Sequence, residues 1–325
     1  MNDVLDLSVV VPLYNEDESL PELEAWIRRV VEGMGLTYEI VMVDDGSTDN
    51  SWAVVKALAA ANPAVRGIKF RRNYGKSPAL HTGFQACRGR VVITMDADLQ
   101  DSPDEIPELY RMIREGGYDL VSGWKRRRHD PLGKTLPSRF FNAVTRYVSG
   151  IPLHDFNCGL KAYRQEVVKG IEVYGDMHRH IPLLAKWAGF RRITEKVVEH
   201  RARKYGVSKF GVSRLVTGFL DLLTLLFIGK FGKRPMHFFG GLGILIFLLG
   251  LGSSIYIGAT KLWRLAQGLP TILVTDNPYF YLALTCMVIG TLLFVTGFLA
   301  ELLIRNGADR NVYLIEERLG IAESH

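Results

Sequence analysis

Asp96-Ala97-Asp98-Leu99-Gln100 follows directly on the strand-like run Arg90-Val91-Val92-Ile93-Thr94-Met95. Two carboxylates and an amide therefore crowd onto the end of one segment. Like charges this close repel, and the repulsion is relieved by protonation or by a cation. Hard oxygen donors in such an array suit Mg2+ or Mn2+, ions that usually arrive with phosphates. Taken alone the segment is ambiguous, because Asp-x-Asp pairs also occur as solvated loop acids.

The elements around it narrow the choice. Apolar β-branched runs at Leu7–Val11, Tyr38–Val43, Arg66–Phe70, Val91–Met95 and Asp119–Ser122 read as strands. Amphipathic stretches at Leu20–Glu32, Ser51–Ala61, Ser77–Ala86 and Ile106–Arg114 read as helices between them. Strands spaced by helices of this length predict an α/β domain with a mostly parallel, Rossmann-like sheet. Such sheets bind ligands beyond the carboxyl ends of their strands. The first strand is followed by Pro12, Tyr14, Asn15 and Glu16, the second by Asp44, Asp45, Gly46 and Ser47, and the fourth by Asp96, Asp98 and Gln100. Three acidic clusters on one sheet edge are costly without a cation or a donor-rich ligand, which favours a binding site over a solvated loop.

The chain of 325 residues carries a formal charge of +6, with its apolar residues unevenly spread. Residues 236–260 and 277–300 contain no Asp, Glu, Lys or Arg. As helices these runs would each span roughly 30 Å or more, the thickness of a bilayer core. Cys87, Cys158 and Cys286 lack metal-ligand spacing and imply neither a disulfide framework nor a zinc site. The first apolar run is short, preceded by acids and ended by Pro12, unlike a signal peptide, so the N-terminal domain is expected to stay cytosolic. Lys230, Lys233 and Arg234 precede the first span and Arg305 and Arg310 follow the second, while the intervening loop holds Lys261, Arg264 and Asp276. That charge pattern favours both ends inside and the loop outside. The expected divisions are a catalytic-type domain over 1–210, an interfacial helix over 211–234, a two-helix transmembrane hairpin over 235–304 and a cytosolic tail over 305–325.

Residues 124–210 are less regular and more basic, with Lys125-Arg126-Arg127-Arg128 at their start and Arg201-Ala202-Arg203-Lys204-Tyr205-Gly206-Val207-Ser208-Lys209 at their end. The second stretch can converge on a phosphate or serve as a basic anchor on anionic lipid. In order along the chain, Val-Val-Pro-Leu-Tyr-Asn-Glu (10–16), Val-Asp-Asp-Gly-Ser (43–47), Asp-Ala-Asp-Leu-Gln (96–100) and Gly-Val-Ser-Lys (206–209) resemble family 2 glycosyltransferases of the GT-A fold. Within that family they are most similar to the polyprenyl-phosphate glycosyltransferases, such as bactoprenol glucosyltransferase and dolichol-phosphate mannosyltransferase.

The resemblance covers roughly residues 7–210, and the two apolar runs fit the bactoprenol-type architecture. It implies that Pro12, Tyr14, Glu16, Val43 and Asp45 hold the nucleotide, and that Asp96, Asp98 and Gln100 form the Mg2+ or Mn2+ and diphosphate site. It places Asp155 beside the reacting sugar, Arg179, Arg203, Ser208 and Lys209 near the diphosphate or acceptor phosphate, and Lys125 and Arg139 at the lipid phosphate. Lys125 replaces an arginine there, which keeps the charge and loses the bidentate fork.

The implied reaction moves a hexose, with inversion, from a nucleotide-diphosphate sugar (a UDP-sugar, or GDP-mannose) to polyprenyl phosphate at a bacterial plasma membrane. The implied partners are membrane lipid and further copies of the chain, a tetramer among the options, and not nucleic acid. Rival readings are a processive or other lipid-acceptor transferase of the same family, and a non-catalytic nucleotide-sugar-binding membrane protein. The Gln-x-x-Arg-Trp sequence of processive synthases is lacking, with only Lys186-Trp187 in the comparable region.

Overall fold

The computed structural model describes residues 5–126, 142–147, 149–175, 177–201, 204, 227, 235–306 and 315–320. The chain forms two units, one of residues Met1–Leu222 with Asn311–His325, the other of residues Leu223–Arg310. The first unit runs β1 (Leu5–Leu13), α1 (Leu20–Glu32), β2 (Tyr38–Asp44), α2 (Ser51–Ala61), β3 (Val65–Phe70), α3 (Lys76–Ala86), β4 (Gly89–Thr94), α4 (Ile106–Arg114), β5 (Leu120–Trp124), β6 (Lys161–Arg164), α5 (Gln165–Gly170), α6 (Ile181–Trp187), β7 (Ile193–Val197) and β8 (Ile315–Leu319). One eight-stranded sheet has the order β7-β5-β6-β4-β1-β2-β3-β8. Its centre, β4-β1-β2-β3, is parallel, whereas β6 and β8 run antiparallel to their neighbours.

Val9, Val10 and Val11 are all fully buried, so β1 is covered on both faces and shows no polar alternation. Val9, Val11, Ile40 and Met42 pack with Leu20, Leu23 and Ile27 of α1 and with Ile106, Leu109 and Ile113 of α4. The i, i+3, i+7 spacing of those helical residues makes the apolar stripe that the sheet needs. Each such side chain contributes about 1.5–3 kcal/mol on burial. The opposite face receives α3, whose Gly83 is seated against Val10 and Val43.

The expected strands and helices of residues 7–123 are all present, with ends shifted by one or two residues. Three further strands were not expected. β7 (Ile-Thr-Glu-Lys-Val) and β8 (Ile-Glu-Glu-Arg-Leu) carry charges because they form the two edges of the sheet, where water and charged side chains are tolerated. β6 (Lys-Ala-Tyr-Arg) is too short to show a period. β8 also corrects the reading of 305–325 as a tail. It pairs with β3 through Gly67↔Leu319, Ile68↔Arg318 and Lys69↔Glu317. Beside it the Arg66 Nε–H donates to the Gly320 carbonyl at 2.8 Å.

Arg66 belongs to a buried polar knot in which Glu39 is the common acceptor. Glu39 takes the Ser8 hydroxyl at 2.7 Å, the Arg88 backbone N–H at 2.6 Å, the Arg88 Nε–H at 3.1 Å and the Arg66 guanidinium. Burial alone would raise the Glu39 carboxyl, but the hydrogen bonds from Ser8, Arg66 and Arg88 outweigh it and hold it below its ordinary value.

The second unit is a hairpin of α7 (Pro235–Ala266) and α8 (Pro278–Asn306). Both helices are long and apolar enough to cross a membrane, with mean hydropathies of 2.1 and 2.3. They run antiparallel and touch through backbone. A Cβ on Gly243 would lie 2.6 Å from the Gly290 carbonyl oxygen, and one on Gly290 2.6 Å from that of Gly243. Small residues permit this approach where lipid gives helices no hydrophobic reason to associate. Leu245, Leu248, Leu249 and Ile255 point outward and are exposed. Of the expected interfacial helix at 211–234, only Phe227 lies within the described residues.

Candidate functional site

The exits of β1 and β2 are laced together. Pro12 of β1 lies in register with Val43 of β2, so two expected nucleotide-binding residues are neighbours across the ladder. Asn15 sits in the left-handed region at φ 56°. Its N–H donates to Ser47 Oγ at 2.9 Å, and its side-chain carbonyl accepts the Thr48 N–H at 2.9 Å. Glu16 is anchored through its N–H to Ser51 Oγ at 2.9 Å. Tyr14 lies half-buried between these anchored residues. Asp44 accepts the Ser47 N–H at 2.8 Å and closes the Asp-Asp-Gly-Ser turn.

Asp45 is buried, and its two oxygens accept the backbone N–H groups of Tyr74 at 2.7 Å and Gly75 at 2.9 Å. Its carboxylate thus organises the β3–α3 loop, a structural task in addition to the nucleotide contact expected of it. Burial raises both Asp44 and Asp45 above ordinary carboxylates, against the hydrogen bonds that favour their ionised forms.

The β3–α3 loop delivers Lys76, at the first position of α3, onto Asp96 as an ion pair. Burial would raise Asp96, but Lys76, with Lys125 and Lys161 behind it, outweighs that and holds the carboxyl at about 2. Gly159 makes room for Asp96, since a Cβ there would lie 2.5 Å from the carboxylate carbon. The Gly159 carbonyl accepts the Thr94 hydroxyl at 2.8 Å and ties that approach to the end of β4. Asp98 is buried and accepts the Gln100 N–H at 3.2 Å, while Leu99 between them is in the left-handed region at φ 59°. A branched side chain held there stores strain of the order of 1–3 kcal/mol, a feature that clusters at functional sites. Gln100 is braced by the segment after β7. Its carbonyl accepts the Arg201 N–H at 2.9 Å, and Asp101 bridges to His200.

Asp155 is buried and accepts the Asn157 N–H at 3.0 Å, and its own carbonyl accepts the Ser122 hydroxyl at 3.2 Å. Lys161 is buried with its ammonium on the Cys158 carbonyl, and burial pushes its pKa down. Arg179 lies in a 3₁₀ turn, Met177–His180, docked on the first turn of α3. Ser77 Oγ accepts the His178 N–H at 2.9 Å and meets the ring Nδ1 at 3.0 Å. Burial, with Lys76 and Arg179 nearby, pushes His178 well below its ordinary value. The ring is therefore neutral near pH 7.

Lys125, expected at the lipid phosphate, lies beside Asp101 in the structure. Its ammonium lies 2.7 Å from Asp101, a carboxylate with no exposed surface, and the pair raises the Lys125 pKa against its burial. Lys125 is thus the counter-ion of a buried acid. Arg139, Arg203, Ser208 and Lys209 lie outside the described residues.

Sequence reasoning missed Lys76, Lys161, Asp101 and Gly159. Lys76 had a signal: it closes Arg71-Arg72-Asn73-Tyr74-Gly75-Lys76, the exit loop of β3, on the sheet edge already marked by β1, β2 and β4. Asp101 gave none, because its partner Lys125 lies 24 positions away, just past the end of β5, and Lys161 gave none, because its strand is too short to show a period.

The donor set fits a hard divalent cation in one particular way. Asp96 is ionised, Asp98 stands two positions further on, and Gln100 adds an amide oxygen. Among the described residues no cluster of three or more His, Cys, Asp and Glu is present, so the protein offers few ligands of its own. A cation here would complete its shell with water and donor phosphates, the habit of Mg2+.

Comparison with known proteins agrees with this geometry. The family model for glycosyl transferase family 2 matches residues 8–171, from β1 to the end of α5. The dodecaprenyl-phosphate galacturonate synthase of Rhizobium johnstonii is 34% identical over 93% of this chain and 88% of its own length. The undecaprenyl-phosphate 4-deoxy-4-formamido-L-arabinose transferase of Shewanella sediminis is 41% identical over 67% of this chain and 66% of its own length. Among solved structures, glucosyl-3-phosphoglycerate synthase from Mycobacterium tuberculosis with Mn2+ and UDP-glucose superposes with a TM-score of 0.53 at 22% identity, covering 69% of this chain and 79% of that one. That likeness is one of fold, the GT-A fold. A parallel sheet with acids at its carboxyl edge, matched by the family model over half the chain and by relatives over most of it, has one reading: the chain belongs to glycosyl transferase family 2 and is a glycosyltransferase.

Proposed function

We propose that this enzyme transfers a hexose from a nucleotide-diphosphate sugar, a UDP-sugar in preference to GDP-mannose, to a polyprenyl phosphate held in a bacterial plasma membrane. The observation that carries the reading is one of combination. A chain with an acidic GT-A sheet edge also carries an apolar hairpin, and it is similar over 93% of its length to a dodecaprenyl-phosphate sugar synthase.

In this reading Pro12, Tyr14, Glu16 and Val43 hold the base and ribose, with Asp45 fixing the loop that carries Lys76. Asp96, Asp98 and Gln100 hold a divalent ion, which when bound supplies Lewis-acid neutralisation of the departing nucleoside diphosphate. Lys76 occupies one Asp96 oxygen and stands where it can add a charge-assisted hydrogen bond to the same phosphates. By the resemblance, Arg179, Arg203, Ser208 and Lys209 serve the diphosphate or the acceptor phosphate, and Lys125 and Arg139 the lipid phosphate. The acceptor is a phosphate monoester whose second pKa is near ~6, so it is largely dianionic at neutral pH and needs little from a general base. Asp155 then serves to orient the acceptor or to stabilise positive charge at the anomeric carbon. One in-line displacement inverts that carbon. The hairpin serves as two spans with both ends cytosolic, which keeps the domain at the lipid phosphate, and further copies of the chain self-associate.

The test is a donor panel (UDP-glucose, UDP-galacturonate, a UDP-linked aminoarabinose derivative and GDP-mannose) with polyprenyl phosphate and the full chain in detergent, scored for lipid-linked sugar with and without Mg2+ or Mn2+. One donor is expected to give a metal-dependent lipid product, abolished in Asp98→Ala. Absence of lipid-linked product from every donor, with nucleotide binding unchanged in Asp98→Ala, would overturn it.

A further inference from the structure

The far end of the hairpin holds a cavity of about 160 Å³ whose walls include Tyr256, Thr260, Lys261, Arg264, Thr271 and Asn277. It is remote in sequence from every residue placed in the transferase site. Residues 256, 260, 261 and 264 form one stripe of α7, and the 267–277 connection closes over it. Among the described residues, the side chains of Lys261 and Arg264 make no ion pair and no hydrogen bond. Asp276 is the sole acid between residues 236 and 300, and it does not line the cavity. Two cations, hydroxyls and an amide thus converge on one space without an internal counter-charge.

Their level along the helix is set by the sequence. The uncharged run ends at Thr260, and its 25 residues (236–260) rise roughly 37 Å as a helix. A hydrocarbon core is about 30 Å thick, so Lys261 and Arg264 emerge at headgroup depth. The exposed rings of Tyr256, Trp263, Tyr279 and Tyr281 surround the same end, as aromatic residues do at a membrane–water interface. Lysine and arginine are disfavoured in short loops on the outer face. Here the only two in the loop region line one cavity.

We propose that this cavity binds a phosphate group of an anionic lipid headgroup, or free phosphate at that surface, on the membrane face opposite the two ends of the hairpin. Lys261 and Arg264 supply charge-assisted donors, and Thr260, Thr271 and Asn277 supply neutral ones. Bound headgroup pins the hairpin at a fixed depth from the side away from the chemistry. The inference rests on reading α7 and α8 as membrane spans, and its test is independent of sugar transfer.

The full chain in mild detergent is incubated with phosphatidylglycerol or phosphatidylcholine, and retained lipids are counted by native mass spectrometry. In a parallel arm, thermal unfolding is followed in inorganic phosphate against chloride at matched ionic strength. The variants are Lys261→Gln/Arg264→Gln and the charge-keeping Lys261→Arg/Arg264→Lys. The expected result is retention of phosphatidylglycerol over phosphatidylcholine, reduced about tenfold in the double glutamine variant and kept in the charge-keeping one. Sugar transfer by the double glutamine variant in detergent should equal that of the parent chain. Stabilisation by inorganic phosphate, lost in the same variant, with no headgroup preference assigns the site to free phosphate. Equal lipid retention and equal phosphate response in all three proteins overturns the proposal. Retention of no lipid of either kind by the parent chain overturns the membrane reading with it.

Discussion

At the residue scale the site depends on how closely charges can be brought together. Asp96 is ionised because three lysines outweigh its burial, and it reaches them because Gly159 has no side chain. Gly159→Ala should push the Asp96 carboxylate aside. Overpacking of this kind costs about 1–3 kcal/mol, whereas a misplacement near 1 Å can cost about 10²-fold in rate. Thermal unfolding should therefore move modestly while kcat/KM for the donor collapses. Lys76→Met tests the cation that composition and motifs did not reveal. It should lower kcat/KM about 10²-fold, the cost of removing one preorganised donor, with partial recovery in Lys76→Arg, as read by initial rates at saturating lipid acceptor. The Lys125–Asp101 pair carries the opposite lesson. A basic residue at an expected acceptor position also neutralises a buried acid, so Lys125→Ala should cost stability, about 3–5 kcal/mol for a broken buried pair, in urea unfolding.

At the element scale, helices and parallel strands were legible because each buries a continuous apolar stripe or run. Val9–Val11 in β1 and Leu20, Leu23 and Ile27 in α1 show those periods without help from context. The edge strands hid because an edge must be partly charged. The Glu39 knot joins β1, β2, β3 and the start of β4, and it makes the fold acid-sensitive. Its folded pKa lies below the unfolded value of 4.5. The stability it contributes is thus fully present above 4.5 and lost as pH falls through the folded pKa, since the unfolded state binds the proton more readily. Denaturant unfolding of the parent chain should weaken as pH drops below that value. Glu39→Gln should be destabilised by roughly 3–5 kcal/mol near neutrality and should lack that part of the acid slope.

At the scale of the whole molecule, the chain leaves the sheet domain, forms the apolar hairpin and returns to add β8 to the sheet edge beside β3. The return hydrogen bond from Arg66 to Gly320 joins this strand to the Glu39 knot. Deleting residues 311–325 should therefore do two things. It should lower stability by about 1–3 kcal/mol through the bonding groups left unpaired, and it should bare the β3 edge to other copies. Thermal unfolding and concentration-dependent light scattering of the truncated protein would read both.

By itself the sequence determined the parallel core, the acidic carboxyl edge, the family and the two apolar helices, because each rests on a local period or a short contiguous motif. Only the tertiary structure decided which charges meet. Lys76 with Asp96, Lys125 with Asp101, Glu39 with Arg66, and Gly320 with Arg66 are separated by 20 to 254 positions. Such pairs leave no period in the chain. They are fixed by strand order and register, which emerge only when the apolar faces have been packed and the remaining charges must find partners away from water.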